Sequence, residues 1–329
     1  MLSFGKLAKV LLAVLGLVIA SLLLQTNYVL LQPGSAEDLR NLIAVEGADP
    51  DDTGKLFLVT VAQQRASLLQ AVYGFLHPHI EVLPLGEVIP RGMDEQEYRE
   101  LLDMWMKESQ LLAQLIALQR VDYQVEIISE GVIIEGFLED GPSEDLLKRG
   151  DIIIAVDGIP VALAGEVITE VQNRRVGDPV ELTIIRHELT QEINITTGFN
   201  PGNPGIAALG IYIRTLHWVP VLPVAIEMKT GDIGGPSAGL MFVLEIINQL
   251  TPEDITKGRL IAGTGVIDVN EQVGRIGGVF QKVIAAERAG ADFFIVPKGN
   301  YDEAKEAVGE IELVPVSSLQ EVMDFLEGI

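Results

Sequence analysis

Apolar and polar positions alternate with different periods along the chain, and each change of period marks a change of expected structure. From Val10 to Leu31 there are 22 residues without a formal charge, with Lys6 and Lys9 before them and Glu37 and Asp38 after. As a helix rising about 1.5 Å per residue this run spans roughly 33 Å, against a hydrocarbon core of about 30 Å. Residues 10–31 are therefore expected to form one transmembrane helix, and the basic start places residues 1–9 in the cytoplasm. A cleaved secretory signal is the alternative. Either way the remainder is expected on the outer side of the membrane. Residues 32–52 read as a linker, because Pro33, Gly34 and Ser35, then Asp49, Pro50, Asp51 and Asp52, are turn formers.

Residues 55–62 are rich in strand-forming side chains. Residues 93–120 predict a long helix: Asp94 and Glu97 have capping-box spacing, and Leu101, Met104, Trp105, Leu111, Leu112, Leu115 and Ile116 recur at helical period. From residue 121 the pattern turns to short strands at 124–128, 132–137, 151–156 and 180–185, which implies a small separate module over 121–200. Beyond it, helices at 236–250, 279–289, 301–308 and from Ser318 alternate with strands at 293–296 and 311–314. That order predicts an α+β or α/β domain over 201–329. A chain of 329 residues is long enough for about two domains and a tether.

Charge and composition narrow the chemistry. With 47 acidic against 23 basic residues the net charge is -24, which repels a polyanion, so nucleic acid is not expected as a partner. The absence of cysteine removes disulfides, thiolate metal sites and a cysteine nucleophile. His77 and His79 flank a proline, His187 ends a strand and His217 precedes Trp218; none belongs to a recognisable triad, and His77 with His79 has no third metal ligand in spacing.

Gly234-Gly235-Pro236-Ser237-Ala238-Gly239 precedes an apolar helical run, so Ser237 should stand at or near the first turn of a helix. Unpaired N–H groups there can hold an oxyanion, and the small neighbours let a substrate backbone approach. A structural N-cap is the plainer reading of such a serine. Lys282 follows Gly277 and Gly278 in an apolar segment. It is either a base whose pKa burial lowers, or an amphipathic side chain reaching for solvent.

Read together, several segments resemble the proteolytic domain of the Lon family: 231–244, 258–265, 273–278, Lys282 and 289–297 follow that family's order and spacing. The resemblance implies Ser237 as nucleophile, Lys282 as its base and Thr264, 18 residues before the lysine, as the group that orients the amine. Many Lon proteases carry an acidic residue three before the nucleophile; here Gly234 stands there and Asp232 lies two further back. No phosphate-loop motif occurs, so the ATPase motor of Lon is not expected. Residues 56–60 and 106–109 are similar to the opening strand and first helix of Lon protease domains, which would make the module at 121–200 an insertion. Gly131, Gly141, Gly150-Asp151 and Asp157-Gly158, with the intervening aliphatic residues, resemble a bacterial PDZ domain. That resemblance implies a groove taking an extended peptide as an added strand. The Gly-Leu-Gly-Phe type signal of a carboxylate-binding loop has no match near residues 121–124, and a structural spacer is the alternative.

The expectation is thus an α+β fold: a Lon-type proteolytic domain with an inserted PDZ β-sandwich or barrel and one N-terminal transmembrane helix. The boundaries are a cytoplasmic tail (1–9), an anchor (10–31), a linker with the first part of the protease domain (32–120), a PDZ domain (121–200) and the catalytic domain (201–329). The combination is similar to the membrane-bound Lon-like PDZ proteases of Gram-positive bacteria. It implies an ATP-independent serine endopeptidase, single-pass in the cell membrane, needing neither cofactor nor metal. Its partners would be extracytoplasmic peptides or unfolded segments captured by the PDZ module, and, as in other Lon-like domains, further copies of itself. A catalytically silent, membrane-tethered PDZ scaffold is the competing hypothesis.

Overall fold

A computed structural model describes residues 21, 24–48, 53–90, 92–138, 141–200 and 203–329. The chain divides into two compact units: residues up to Val121 with Val224–Ile267 and Glu271–Ile329, and Asp122–Pro223 with Asp268–Asn270. In chain order the first unit opens with β1 (Gln25–Asp38), β2 (Ile43–Val45), β3 (Lys55–Ser67), α1 (Leu68–Leu76), β4 (Glu81–Pro84), a helical turn (Leu85–Val88) and α2 (Glu95–Arg120). The second unit holds β5 (Glu126–Ile128), β6 (Val132–Phe137), β7 (Ile152–Val156), β8 (Ile159–Pro160), α3 (Ala164–Gln172), β9 (Pro179–Arg186) and β10 (Leu189–Thr196). It continues with β11 (Gly198–Asn200), β12 (Asn203–Ala208), β13 (Ile211–Thr215) and β14 (Val219–Val221). The chain then returns to the first unit with β15 (Ile226–Met228), α4 (Gly239–Leu250), β16 (Leu260–Gly263), β17 (Val266–Ile267), β18 (Val273–Gly274) and α5 (Val279–Arg288). It ends with β19 (Phe293–Pro297), α6 (Tyr301–Ala307), β20 (Glu312–Val316) and α7 (Leu319–Gly328).

The first unit is built on a mixed sheet in the order β20-β19-β16-β3-β1-β4, parallel from β20 to β3 and antiparallel from β3 to β4. Its central strands are apolar on both faces because helices cover both. Val279, Val283 and Ala286 of α5 pack with Phe57, Val59, Ala262, Phe294 and Val296 of the sheet. Residues Gly239 to Gln249 of α4 are all buried, so this helix is apolar around most of its circumference rather than along one stripe. The helix α2 starts where Asp94 and Glu97 close a reciprocal capping box, as the spacing predicts.

The start of the chain departs from the sequence reading. Gln25 to Leu31, the last part of the expected transmembrane helix over 10–31, is sheet: β1 pairs with β3 on one side and β4 on the other. Within it Val29 and Leu30 are buried, and Leu30 packs with Ala66 and Ala71. Residues 10–20, 22 and 23 of that span lie outside the described residues, and among the described residues no helix is long and apolar enough to cross a membrane. The expected linker is corrected too. Pro33, Gly34 and Ser35 sit inside β1, where Gly34 and Ser35 together oppose Thr60 between the Pro33–Val61 and Ala36–Val59 pairs. This is a β-bulge, the place in a strand that tolerates a proline beside it. A Cβ on Gly34 would lie 2.3 Å from Thr60 Oγ1, so the close approach requires glycine. Asp49 to Asp52 lie outside the described residues.

The second unit is an antiparallel sheet, β10-β9-β7-β6-β13, around a core of Val132, Ile134, Ile153, Val156, Val167, Val171, Leu182 and Ile184. Along β9, Val180, Leu182 and Ile184 face this core and the residues between them are less buried, the period-two alternation of a half-buried strand. The unit runs on to Pro223, past residue 200, because β13 is the outer strand of this sheet.

Candidate active site

Ser237 occupies the turn just before α4, whose first helical residue is Gly239. Three contacts fix that turn. Gly235, at φ +88°, donates its N–H to Leu102 O on α2 at 2.9 Å; a side chain there would be strained. Ser109 Oγ, also on α2, donates to Pro236 O at 3.2 Å. The Ser237 carbonyl accepts from Gly265 N at 2.8 Å and from Thr264 Oγ1 at 2.9 Å. The Ser237 and Ala238 N–H groups meet no acceptor among the described residues.

Lys282 approaches from α5. That helix is entered through Gly278 in the left-handed region, at φ +67°, and the Lys282 N–H bonds back to Gly278 O at 3.1 Å. Its Nζ lies 2.6 Å from Ser237 Oγ and 3.0 Å from Thr264 Oγ1. Lys282 is 4% exposed and no carboxylate pairs with it among the described residues. Burial alone pushes its pKa down to about 7. The hydrogen bonds have a consistent direction: Thr264 spends its one proton on the Ser237 carbonyl and so offers a lone pair to the amine. An uncharged amine that donates to Thr264 can turn its own lone pair to the Ser237 hydroxyl.

These side chains meet at a cavity of about 690 Å³ lined by Ser237 and Lys282, by Leu58 to Val61 of β3, and by Tyr98, Leu102 and Met106 of α2. Glu37, Glu87, Asp232 and Arg275 give it charge. Ser237, Lys282 and Thr264, the three residues singled out in the sequence, are thus brought together. The histidines are elsewhere: His77 and His79 meet edge to face with ring centroids 5.6 Å apart, His187 is in the β9–β10 turn, and His217 meets Glu130 at 3.1 Å.

The sequence reading missed two supporting groups. Ser109 was noted only for its likeness to a first helix. Asn300, 1% exposed, both donates to Ile276 O and accepts from Ile276 N at 2.9 Å, holding the segment that leads into Gly277, Gly278 and α5. In the second unit, a cavity of about 300 Å³ lies between Val167, Ile168 and Val171 of α3 and residues 207–213. Leu209-Gly210-Ile211 lines it, with Gly210 at φ +69°.

Comparison with known proteins bears on both units. Residues 224–327 match the Lon protease (S16) C-terminal proteolytic domain, and residues 110–197 match the PDZ domain. The chain carries a Lon-type proteolytic domain and a PDZ domain. The Lon-type domain is similar to the archaeal Lon protease of Halobacterium salinarum, 34% identical over 102 residues that cover 30% of this chain and 14% of that protein. It is also similar to Lon protease 2 of Bacillus subtilis, 36% identical over 92 residues that cover 28% of this chain and 16% of that one. The chain therefore spans a small part of these relatives. The PDZ domain is similar to that of the SdrC-like protein of Listeria innocua, at 26% identity, 27% of this chain, 98% of that structure and a TM-score of 0.25. The PDZ match ends at residue 197, short of Leu209-Gly210-Ile211 and β13.

Proposed function

We propose that this chain is an ATP-independent serine endopeptidase in which Ser237 is the nucleophile, Lys282 its general base and Thr264 the group that orients the amine. One observation carries the reading: a buried amine, held near neutrality by desolvation, 2.6 Å from a hydroxyl at an open cavity. Lys282 accepts the Ser237 proton as Oγ attacks the substrate carbonyl, and the C–N bond breaks as the protonated amine returns that proton to the leaving nitrogen. The unengaged N–H groups of Ser237 and Ala238 supply donors for the oxyanion. Water, deprotonated in turn by Lys282, releases the acyl group. This is the Ser–Lys variant of the triad logic.

The PDZ domain is assigned substrate capture. As the outer strand of its sheet, β13 has backbone groups left over to pair with an extended peptide beside α3. Unfolded or short extracytoplasmic segments are the substrates this reading expects, with the charge-free run before Gln25 as the attachment to the cell membrane and further copies of the chain as partners.

The test is labelling of the full chain with a fluorophosphonate together with turnover of casein. Ser237→Ala should lose both, and wild-type turnover should rise as pH climbs through about 7. Unaltered cleavage by Ser237→Ala would dispose of the mechanism, and an unlabelled, inactive wild type would leave the tethered scaffold.

A further inference from the structure

Helix α1 is amphipathic in the inverse sense. Its small residues, Ala71 and Gly74, face inward, and Gly74 must be glycine because a Cβ there would stand 2.7 Å from Val82 Cγ2 and 2.9 Å from Leu30 Cδ2. Its large apolar residues face water: Leu69 is 42% exposed, Val72 51%, Tyr73 55%, Phe75 65% and Leu76 80%. Tyr28 extends the patch from β1, its ring edge-on to Phe75 at 6.0 Å. Between Arg65 and Glu81 there is no Asp, Glu, Lys or Arg, although the chain carries a net charge of -24. A monomeric surface seldom leaves such a patch uncovered without a partner for it.

The position of the patch names the partner. Leu68 N, at the start of α1, donates to Leu24 O at 2.9 Å. Leu24 ends the stretch of uncharged, largely aliphatic sequence that begins at Val10. Two charge-free apolar sequences therefore meet at one point of the fold. We infer that the outer face of α1, with Tyr28, is a membrane-docking surface that inserts shallowly into a zwitterionic bilayer beside the N-terminal run. Aromatic rings at the rim, here Tyr28 and Tyr73, suit the headgroup level. The strongly acidic chain disfavours anionic headgroups. A second copy of the chain fits less well. A nine-residue helix is about 13 Å long and its one face falls short of the roughly 800 Å² per partner that a stable interface buries. Shallow insertion next to an attachment that already holds the chain at the bilayer needs no such area, because the second contact is intramolecular.

The inference rests on the membrane attachment proposed above but not on the peptidase reading, and its experiment has no activity readout. Because the chain lacks cysteine, Leu76→Cys on the full chain takes one polarity-sensitive fluorophore, and Glu310→Cys serves as an exposed control. In phosphatidylcholine vesicles the label at 76 should emit to the blue and be quenched by chain-brominated phosphatidylcholine, whereas the label at 310 should do neither. Adding Val72→Glu and Phe75→Glu should abolish both effects while the protein stays with the vesicles. Water-like, unquenched emission at 76 overturns the inference. So does a blue shift without bromine quenching: one that grows with protein concentration assigns the face to a second copy, and one that does not assigns it to the chain's own N-terminal run.

Discussion

Asp151 in the PDZ domain and Lys282 in the Lon-type domain are closed off from water to a similar degree, at 2% and 4% exposure, yet they meet burial in opposite ways. Asp151 accepts from Arg186 Nε and Nη2 at 2.7 and 2.6 Å and from Lys148 N at 2.7 Å. Burial raises its pKa, and the hydrogen bonds and charge of Arg186 more than reverse the effect, so the carboxylate sits below its ordinary range and stays ionised. Among the described residues the Lys282 amine hydrogen-bonds to two hydroxyls and no carboxylate, and burial drives it toward the neutral form. A buried charge supplied with its opposite becomes a fixed joint, whereas one supplied only with hydroxyls becomes a group that exchanges protons near pH 7.

The sharpest way to break that contrast is at Lys282. Lys282→Ala should lower peptide hydrolysis on the order of 10⁴-fold or more, and adding Ser237→Ala should cost little further, because members of one catalytic unit are not additive. Lys282→Arg should be as inactive as Lys282→Ala, since a guanidinium keeps its charge at any accessible pH. Substantial activity in the arginine variant, measured by steady-state turnover, would mean that proton exchange is not what the site requires.

How much of this was visible beforehand differs between the two sides of the contrast. Gly150-Asp151 and its strand lie within one short segment, so local pattern sufficed to place them. Lys282 was ambiguous by pattern alone, because the same apolar surroundings suit a snorkelling lysine; only the resemblance across distant segments linked it to Ser237 and Thr264. The long helix, with its Asp94 cap, was legible since capping and periodicity are local signals. Residues 25–31 read as part of an anchor for the converse reason: a hydropathy run cannot separate a lipid-spanning segment from a protein core, and Val29 and Leu30 belong to the core. Pro33 and Gly34 read as a linker because a bulge uses the same residues as a turn.

The next test is on the fixed joint. Asp151→Ala leaves Arg186 without its partner and should destabilise the PDZ domain by about 3 kcal/mol in urea unfolding, as removal of one member of a buried pair does. Since the folded pKa of Asp151 is depressed, its contribution is present above the unfolded value of about 3.8 and is lost as pH falls through the folded value. The gap between wild type and Asp151→Asn should therefore be flat above about pH 5 and close in stronger acid. A gap unchanged down to low pH would show that the carboxylate's charge is not what matters there.

A smaller effect is expected at Thr264. Thr264→Val removes a hydrogen bond to the amine and one to the Ser237 carbonyl while keeping the shape. A hydrogen bond to a charged or ionisable group is worth about 1.5–3 kcal/mol, so kcat should fall roughly 10- to 100-fold. Thr264→Ser should recover most of it, which separates orientation by the hydroxyl from packing by the methyl. Equal loss in both variants would assign Thr264 to packing.

Glu245, on α4, is a third case that completes the comparison, because it is buried at 0% exposure with no ion pair and an incomplete set of hydrogen bonds among the described residues. Oε1 accepts from Gln249 Nε2 at 2.7 Å, while Oε2 has no hydrogen-bond partner among the described residues. Gln249 in turn bonds Ile43 O and Val45 N at 3.0 Å, so the pair supports β2. Burial pushes the Glu245 carboxyl up to about 7, against the hydrogen bond from Gln249. A raised acid contributes stability that is fully present below its unfolded value of about 4.5 and is lost as pH climbs through about 7. Glu245→Gln cannot ionise, so it should be more stable than wild type by on the order of 1 kcal/mol at pH 8 and lose that advantage near pH 4. Thermal melts at the two pH values check this, and the sign is the informative part: Lys282, with its lowered pKa, makes the fold gain stability from pH 7 toward 10.5. Two groups with the same midpoint therefore pull the stability curve in opposite directions. An advantage for Glu245→Gln that is equal at both pH values would mean that the fold leaves the Glu245 pKa at its unfolded value, and that of these buried groups Lys282 alone has its proton affinity moved by burial.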